Sequence, residues 1–200
     1  SLSSTPTTAR IFSSNSDNPG TDSDYSIDNS WAVGINNDGY IVGNRVYRKL
    51  VSRNYPTQMF IAKYTSGAVS SSSSPISLPS TDIGIPVSTS GVNSEAAALN
   101  NKNQVVGWTD ERGVTQEVVI TGNPRLQEGF LYNINTGNRY ALNDLICGLD
   151  AAGAKSCAQG PDGKYYYIEY ANGITDDGVI VASARRYDSY EDYLNLSYGS

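Results

Sequence analysis

The chain contains no histidine. That absence removes Ser-His-Asp and Cys-His catalysis and most zinc enzymes, whose chemistry needs an imidazole base or ligand. Charge is also scarce: Asp, Glu, Lys and Arg make up 17% of the 200 residues, where about a quarter is usual. Acidic residues outnumber basic ones, 20 to 14, for a net charge of −6, which argues against nucleic acid as a partner. Long apolar runs are missing too. Stretches such as Val179-Ile180-Val181-Ala182 are strand-sized, so no direct membrane insertion is expected of this segment. The chain opens at Ser1 with no Met and no apolar leader, as expected of a chain whose signal peptide has been removed or of an excised piece. Gly-x-Ser-x-Gly, Ser-x-x-Lys and Gly-x-Gly-x-x-Gly motifs are absent, and Gly163-Lys164 runs into Tyr165 rather than Ser or Thr, so it is no P-loop. No catalytic residue or cofactor site is expected, and the chain reads as a non-enzyme.

What is present is apolar enough to fold, with 38% hydrophobic residues, and is rich in tyrosine, 15 against three Phe and two Trp. A segment recurs three times without gaps. Ala32-Val-Gly34-Ile35-Asn36-Asn37-Asp38-Gly39-Tyr40-Ile41-Val42-Gly43 matches Ala96-Ala-Ala98-Leu99-Asn100-Asn101-Lys102-Asn103-Gln104-Val105-Val106-Gly107. Ala171-Asn-Gly173-Ile174-Thr175-Asp176-Asp177-Gly178-Val179-Ile180-Val181-Ala182 is the third copy. Apolar residues lead into Asn, Asp and Gly, and aliphatics follow, which predicts a strand, a tight turn and a second strand. Gly39, Asn103 and Gly178 fall where the turn needs a left-handed backbone. Ile35, Leu99, Ile174, Val42, Val106 and Val181 are the expected core. A second element, Phe60 to Gly67 and Phe130 to Gly137, follows the first two copies and predicts another hairpin.

A unit of about four strands matches the content of one propeller blade. The expected fold is therefore all-β: antiparallel hairpin repeats forming propeller-like blades in an incomplete array, with a β-sandwich as the alternative. The expected organisation is an irregular N-terminal arm over 1–28, a first unit over 29–92, a second over 93–169 and a partial third over 170–200. The pattern Ala-x-Gly-Ile-Asn-Asn-x-Gly-x-x-Val-Gly, with the Phe-led strand after it, resembles the HAF-type extracellular repeats of large exported bacterial proteins. The resemblance spans roughly residues 29–197. It implies export, a repeated β fold and no established activity.

The remaining candidates lie outside the matched positions. Cys147 and Cys157 flank a Gly- and Ala-rich loop, and with no third Cys and no His to complete a zinc site they are expected to form a disulfide. That places the chain in the periplasm, at the cell surface or outside the cell. Asp22, Asp24 and Asp28 crowd a loop with Gly, Ser and Asn and are weak calcium candidates, against a solvated acidic arm. Tyr165 and Tyr167 share one face of a predicted strand and are the candidate stacking platform for a sugar or a partner chain, against an ordinary strand with half-exposed tyrosines. Two functional classes follow: a structural or interaction module of an exported or surface-anchored protein, or a carbohydrate-binding or polysaccharide-processing domain, since paired carboxylates meet only in space. The expected partner is a protein or a cell-surface glycan, with self-association through a sheet edge.

Overall fold

The structure is a computed structural model that describes residues 25–49, 57–65, 68–70, 93–110 and 126–195. Among these residues the chain is mainly strand, and every pairing is antiparallel. Strands β1 (Tyr25–Ile35), β2 (Tyr40–Lys49), β3 (Thr57–Thr65) and β4 (Ala68–Ser70) form one sheet in sequence order. Strands β5 (Ser94–Leu99), β6 (Gln104–Asp110), β7 (Gln127–Asn133) and β8 (Arg139–Ala141) form a second of the same order. Helix α1 (Leu142–Ile146) leads into a small hairpin of β9 (Cys147–Leu149) and β10 (Lys155–Cys157). Strands β11 (Tyr165–Ile174) and β12 (Ile180–Tyr187) form a two-stranded sheet, followed by α2 (Tyr190–Asn195). The chain is all-β with open sheets. β1 and β11 start ahead of the unit boundaries expected at 29 and 170.

The three matched segments take one local structure. Each is a hairpin, and the predicted left-handed positions hold: Gly39 at φ +79°, Asn103 at 61° and Gly178 at +91°. The first turn residue closes each hairpin with its side-chain oxygen. Asn36 Oδ1 accepts from the backbone N–H groups of Asp38 and Tyr40, and Asn100 Oδ1 from those of Lys102 and Gln104. Thr175 Oγ1 accepts from Val179 N–H. Each hairpin also carries a bulge at one matched position: pairing jumps past Val33, past Ala97 and past Asn172. Opposite the bulge the strands run so close that a Cβ on Gly43 would collide with the carbonyl oxygen of Trp31, and one on Gly107 with that of Glu95.

The sheets stack face to face, the first strand of each segment lying across the sheet before it: β5 packs on β1, β2 and β3, and β11 on β5, β6 and β7. Between the first two sheets Val42, Met59 and Ile61 meet Ala96, Val105, Phe130 and Tyr132, with Leu99 packed alongside. Between the second and third, Val106 and Leu142 meet Ala171, with Ile168, Ile174 and Ile180 alongside. Of the six expected core positions, Val42 and Val106 are fully buried and Leu99 and Ile174 partly buried, but Ile35 is 65% and Val181 62% exposed. The correction has a geometric cause. Val42 and Val106 face the following copy, whereas Val181 has none among the described residues. Leu99 and Ile174 face the preceding copy, whereas Ile35 has none among the described residues.

Candidate functional site

The turns, beyond closing their own hairpins, are joined to one another in series. Asn36 Nδ2 donates to the carbonyl of Asn100 at 3.0 Å, and Asn100 Nδ2 donates to the carbonyl of Thr175 at 3.0 Å. One residue on, Asn37 N–H donates to Asn101 Oδ1 at 3.0 Å, and Asn101 N–H donates to Asp176 Oδ1 at 2.8 Å. The amide of Asn101 adds a bond to Asp176 Oδ2 at 2.9 Å. These bonds hold the Asp176 carboxyl below the usual carboxylate range. Asparagine suits the first turn position because one side chain does two jobs: its oxygen closes its own turn and its amide reaches the next one. Threonine at 175 keeps the first function and lacks the second. Its hydroxyl also donates to the Asp177 carboxylate, which lowers that group's pKa.

Asn103 explains why the second copy departs from glycine. Buried at the turn, it accepts from Asn36 Nδ2 through its Oδ1 and donates to Asp38 Oδ2 at 2.7 Å and to Asn135 Oδ1 at 3.0 Å. It thus ties two turns and the β7–β8 connection together, which a glycine has no side chain to do. Two further buried asparagines clamp the sheets. Asn44 bonds both the N–H and the carbonyl of Ala96, at 2.7 and 3.0 Å, and Asn143 does the same at Ile168, at 2.8 and 3.1 Å. Ala96 and Ile168 both flank bulges, where the ladder is interrupted; the clamps satisfy polar groups that would otherwise be buried without partners.

The cysteines pair as expected, Cys147 with Cys157. The bridge joins β9 to β10 and lies against a cluster of Leu126, Tyr165, Tyr167, Tyr187, Tyr190 and Tyr193. A disulfide sulfur carries no proton, so the Tyr193 hydroxyl donates to Cys147 Sγ, at 3.2 Å. Burial, then the nearby Glu128 charge, pushes the Tyr193 hydroxyl up to about 12. The expected tyrosine platform is corrected here. Tyr167 is buried, and the Tyr165 ring lies 5.1 Å from that of Tyr190 and 6.2 Å from that of Tyr193. The face that Tyr165 and Tyr167 share packs into the core because α2 folds back over it. Sequence reasoning missed α2 as the covering element; its signal was the Tyr190–Tyr193 spacing, one helical turn apart.

Aromatic and acidic groups also meet around Trp108. The ring is half-buried, sits edge-on to Tyr170 at 5.9 Å and bonds the Glu95 carboxylate opposite it in the sheet. Burial raises the Glu95 pKa, and the Trp108 bond partly offsets this. Tyr170 donates to Gln127 Oε1 at 2.8 Å, and Glu169 pairs with Arg185 at 2.6 Å. The polar atoms around this aromatic pair are thus engaged within the protein. Asp22 and Asp24, and the side chain of Asp28, lie outside the described residues, as do residues 111–125. Among the described residues no group of three or more potential metal ligands forms. No described helix is long and apolar enough to cross a membrane.

Stacked antiparallel sheets, turns joined by asparagines and one disulfide define an all-β protein of the kind that persists in oxidising, non-cytoplasmic compartments. The chain belongs to DUF3466, described as a protein of unknown function, whose family model matches residues 5–197. No curated protein and no solved structure matches it.

Proposed function

We propose that this chain is a non-enzymatic structural or interaction module of an exported or surface-anchored bacterial protein, built of propeller-like blades in an incomplete array. The observation that supports the reading is the use made of the matched positions. Asn36, Asn100, Asn37, Asn101 and Asp176 join one turn to the next, and Val42, Val106, Ala96 and Ala171 pack one sheet on another. The positions that vary between copies, such as Asp38, Lys102 and Asp177, share no chemistry that would build a repeated ligand site. Export is supported by the disulfide and by the resemblance of the turn segments to extracellular repeats.

A glycan array together with calcium titration by calorimetry tests this reading against the carbohydrate-binding one. The module reading predicts no oligosaccharide bound in the micromolar range. Micromolar binding lost in Trp108→Ala, with folding intact, would overturn it.

A further inference from the structure

In the first two sheets the hairpin of the matched segment is extended by a third strand on its outer edge, β3 on β2 and β7 on β6. The third hairpin has no such strand among the described residues, where β12 pairs with β11 alone. Burial follows this difference. Val42, Gly43, Val106 and Gly107 are buried, whereas the consecutive residues Val181, Ala182, Ser183 and Ala184 are all exposed. The turns differ in the same way. Tyr64 N–H donates to the Gly39 carbonyl at 2.8 Å and Ile134 N–H to that of Asn103 at 2.9 Å, and among the described residues nothing donates to the matching carbonyl of Gly178. A Cβ on Gly39 would lie 2.5 Å from the Tyr64 carbonyl oxygen, whereas one on Gly178 would meet nothing within 4 Å. The free edge is built to pair. Val179 turns its N–H to the Thr175 hydroxyl and its carbonyl to the Thr175 N–H, so by alternation the N–H and C=O groups of Ile180, Ala182 and Ala184 point away from β11. From Val179 to Ala184 the edge carries no charge and no proline, two devices that keep edge strands unpaired.

We propose that the outer edge of β12 receives an extended segment of another polypeptide, in the place that β3 and β7 hold in the first two sheets. The matched register states its chemistry. β3 sets Phe60, Ile61 and Ala62 opposite Gly43, Val42 and Ile41, and β7 sets Phe130, Leu131 and Tyr132 opposite Gly107, Val106 and Val105. The incoming strand therefore runs antiparallel and brings three successive apolar residues opposite Ala182, Val181 and Ile180. The first of them is smaller than Phe, because Ala182 stands in the place of Gly43, where a Cβ would lie 2.6 Å from the Phe60 ring. A second copy does not fit. Its own strands of this pattern, β3 and β7, are already paired on both edges. A two-fold axis between two β12 strands would run normal to the joined sheet and set both second sheets on one side, in each other's way. The inference rests on the module reading above and names its surface. Glycan binding would sink that reading and leave strand capture untouched, whereas a peptide that does not bind would sink this one alone.

Titration of the chain with the nine-residue peptide of the β3 sequence carrying Phe60→Val, followed by NMR, tests it. The peptide should cause saturable shifts at Gly178 and residues 180–185 and slow the exchange of the Ile180, Ala182 and Ala184 N–H groups. Ala184→Pro removes one outward donor, keeps the bonds to β11 and should bind about tenfold more weakly with unchanged circular dichroism. The same peptide N-methylated at the residues matching 60 and 62 needs no protein variant, and it should lose about tenfold or more. No shift at β12 up to the solubility of the peptide, or equal affinity of the N-methylated form, would overturn the proposal. So would self-association of the chain alone that Ala184→Pro abolishes, since the occupant would then be a second copy.

Discussion

Changing Asn100 to Asp alters one atom of the ladder, from an amide nitrogen to an oxygen. Asn100 is 3% exposed, and its amide donates to the carbonyl of Thr175 at 3.0 Å and to Gln104 Oε1 at 2.8 Å. In Asn100→Asp both donors vanish, and a buried carboxylate oxygen faces two acceptors. An uncompensated buried charge costs about 3–5 kcal/mol. Asn100→Thr reproduces the third copy: it can still close the turn through a hydroxyl and loses the two amide bonds, for about 2 kcal/mol at about 1 kcal/mol each. Urea unfolding followed by circular dichroism measures both. The Asp variant should also recover part of its loss in acid. Its folded-state pKa is raised, so protonation as the pH falls favours the folded form and restores a hydrogen that can reach Thr175. If both variants lie within about 0.5 kcal/mol of wild type, as ordinary surface changes do, the ladder does not hold the stack together.

Val106→Asp buries an unpaired charge between the second and third sheets and should prevent cooperative thermal unfolding, at a cost of several kcal/mol. Val181→Asp, at the matched but exposed position, should leave the transition unchanged. Alkali should act through Tyr193. Its pKa is raised to about 12, so the stability it contributes is complete below the ordinary tyrosine value near 10 and is lost as pH rises through about 12. Denaturant titrations across that window should show the loss in wild type and a smaller one in Tyr193→Phe. Reducing the Cys147–Cys157 bridge should lower stability by about 3 kcal/mol on the chain-entropy estimate for so short a loop, read as a fall in melting temperature.

The strands, the hairpin tips, the left-handed positions and the disulfide were legible in the sequence because each is set by local chemistry. A turn that needs positive φ selects Gly39, Asn103 or Gly178 whatever surrounds it. Burial was less legible. Ile35 and Val181 read as core because their matched partners are core, yet sequence similarity carries no information on which copy stands at an end. The platform at Tyr165 and Tyr167 failed for a related reason: alternation assigns residues to two faces of a strand, and only the path of α2 decides which face is covered. The ladder was half visible. The recurrence of Asn and Asp indicated turns, but that their amides point to the next turn depends on the stacking direction, which no single segment encodes.

Backbone hydrogen exchange at Asn37, Asn101 and Asp176 tests the ladder most directly, because the three N–H groups occupy one position in three matched turns. It is measured by NMR. Asn37 and Asn101 donate to the side chain of the next turn, and Asp176 has no such acceptor among the described residues. The account predicts slowed exchange at Asn37 and Asn101 and fast exchange at Asp176, with Asp176→Ala releasing Asn101 alone. Equal exchange at all three positions would contradict it.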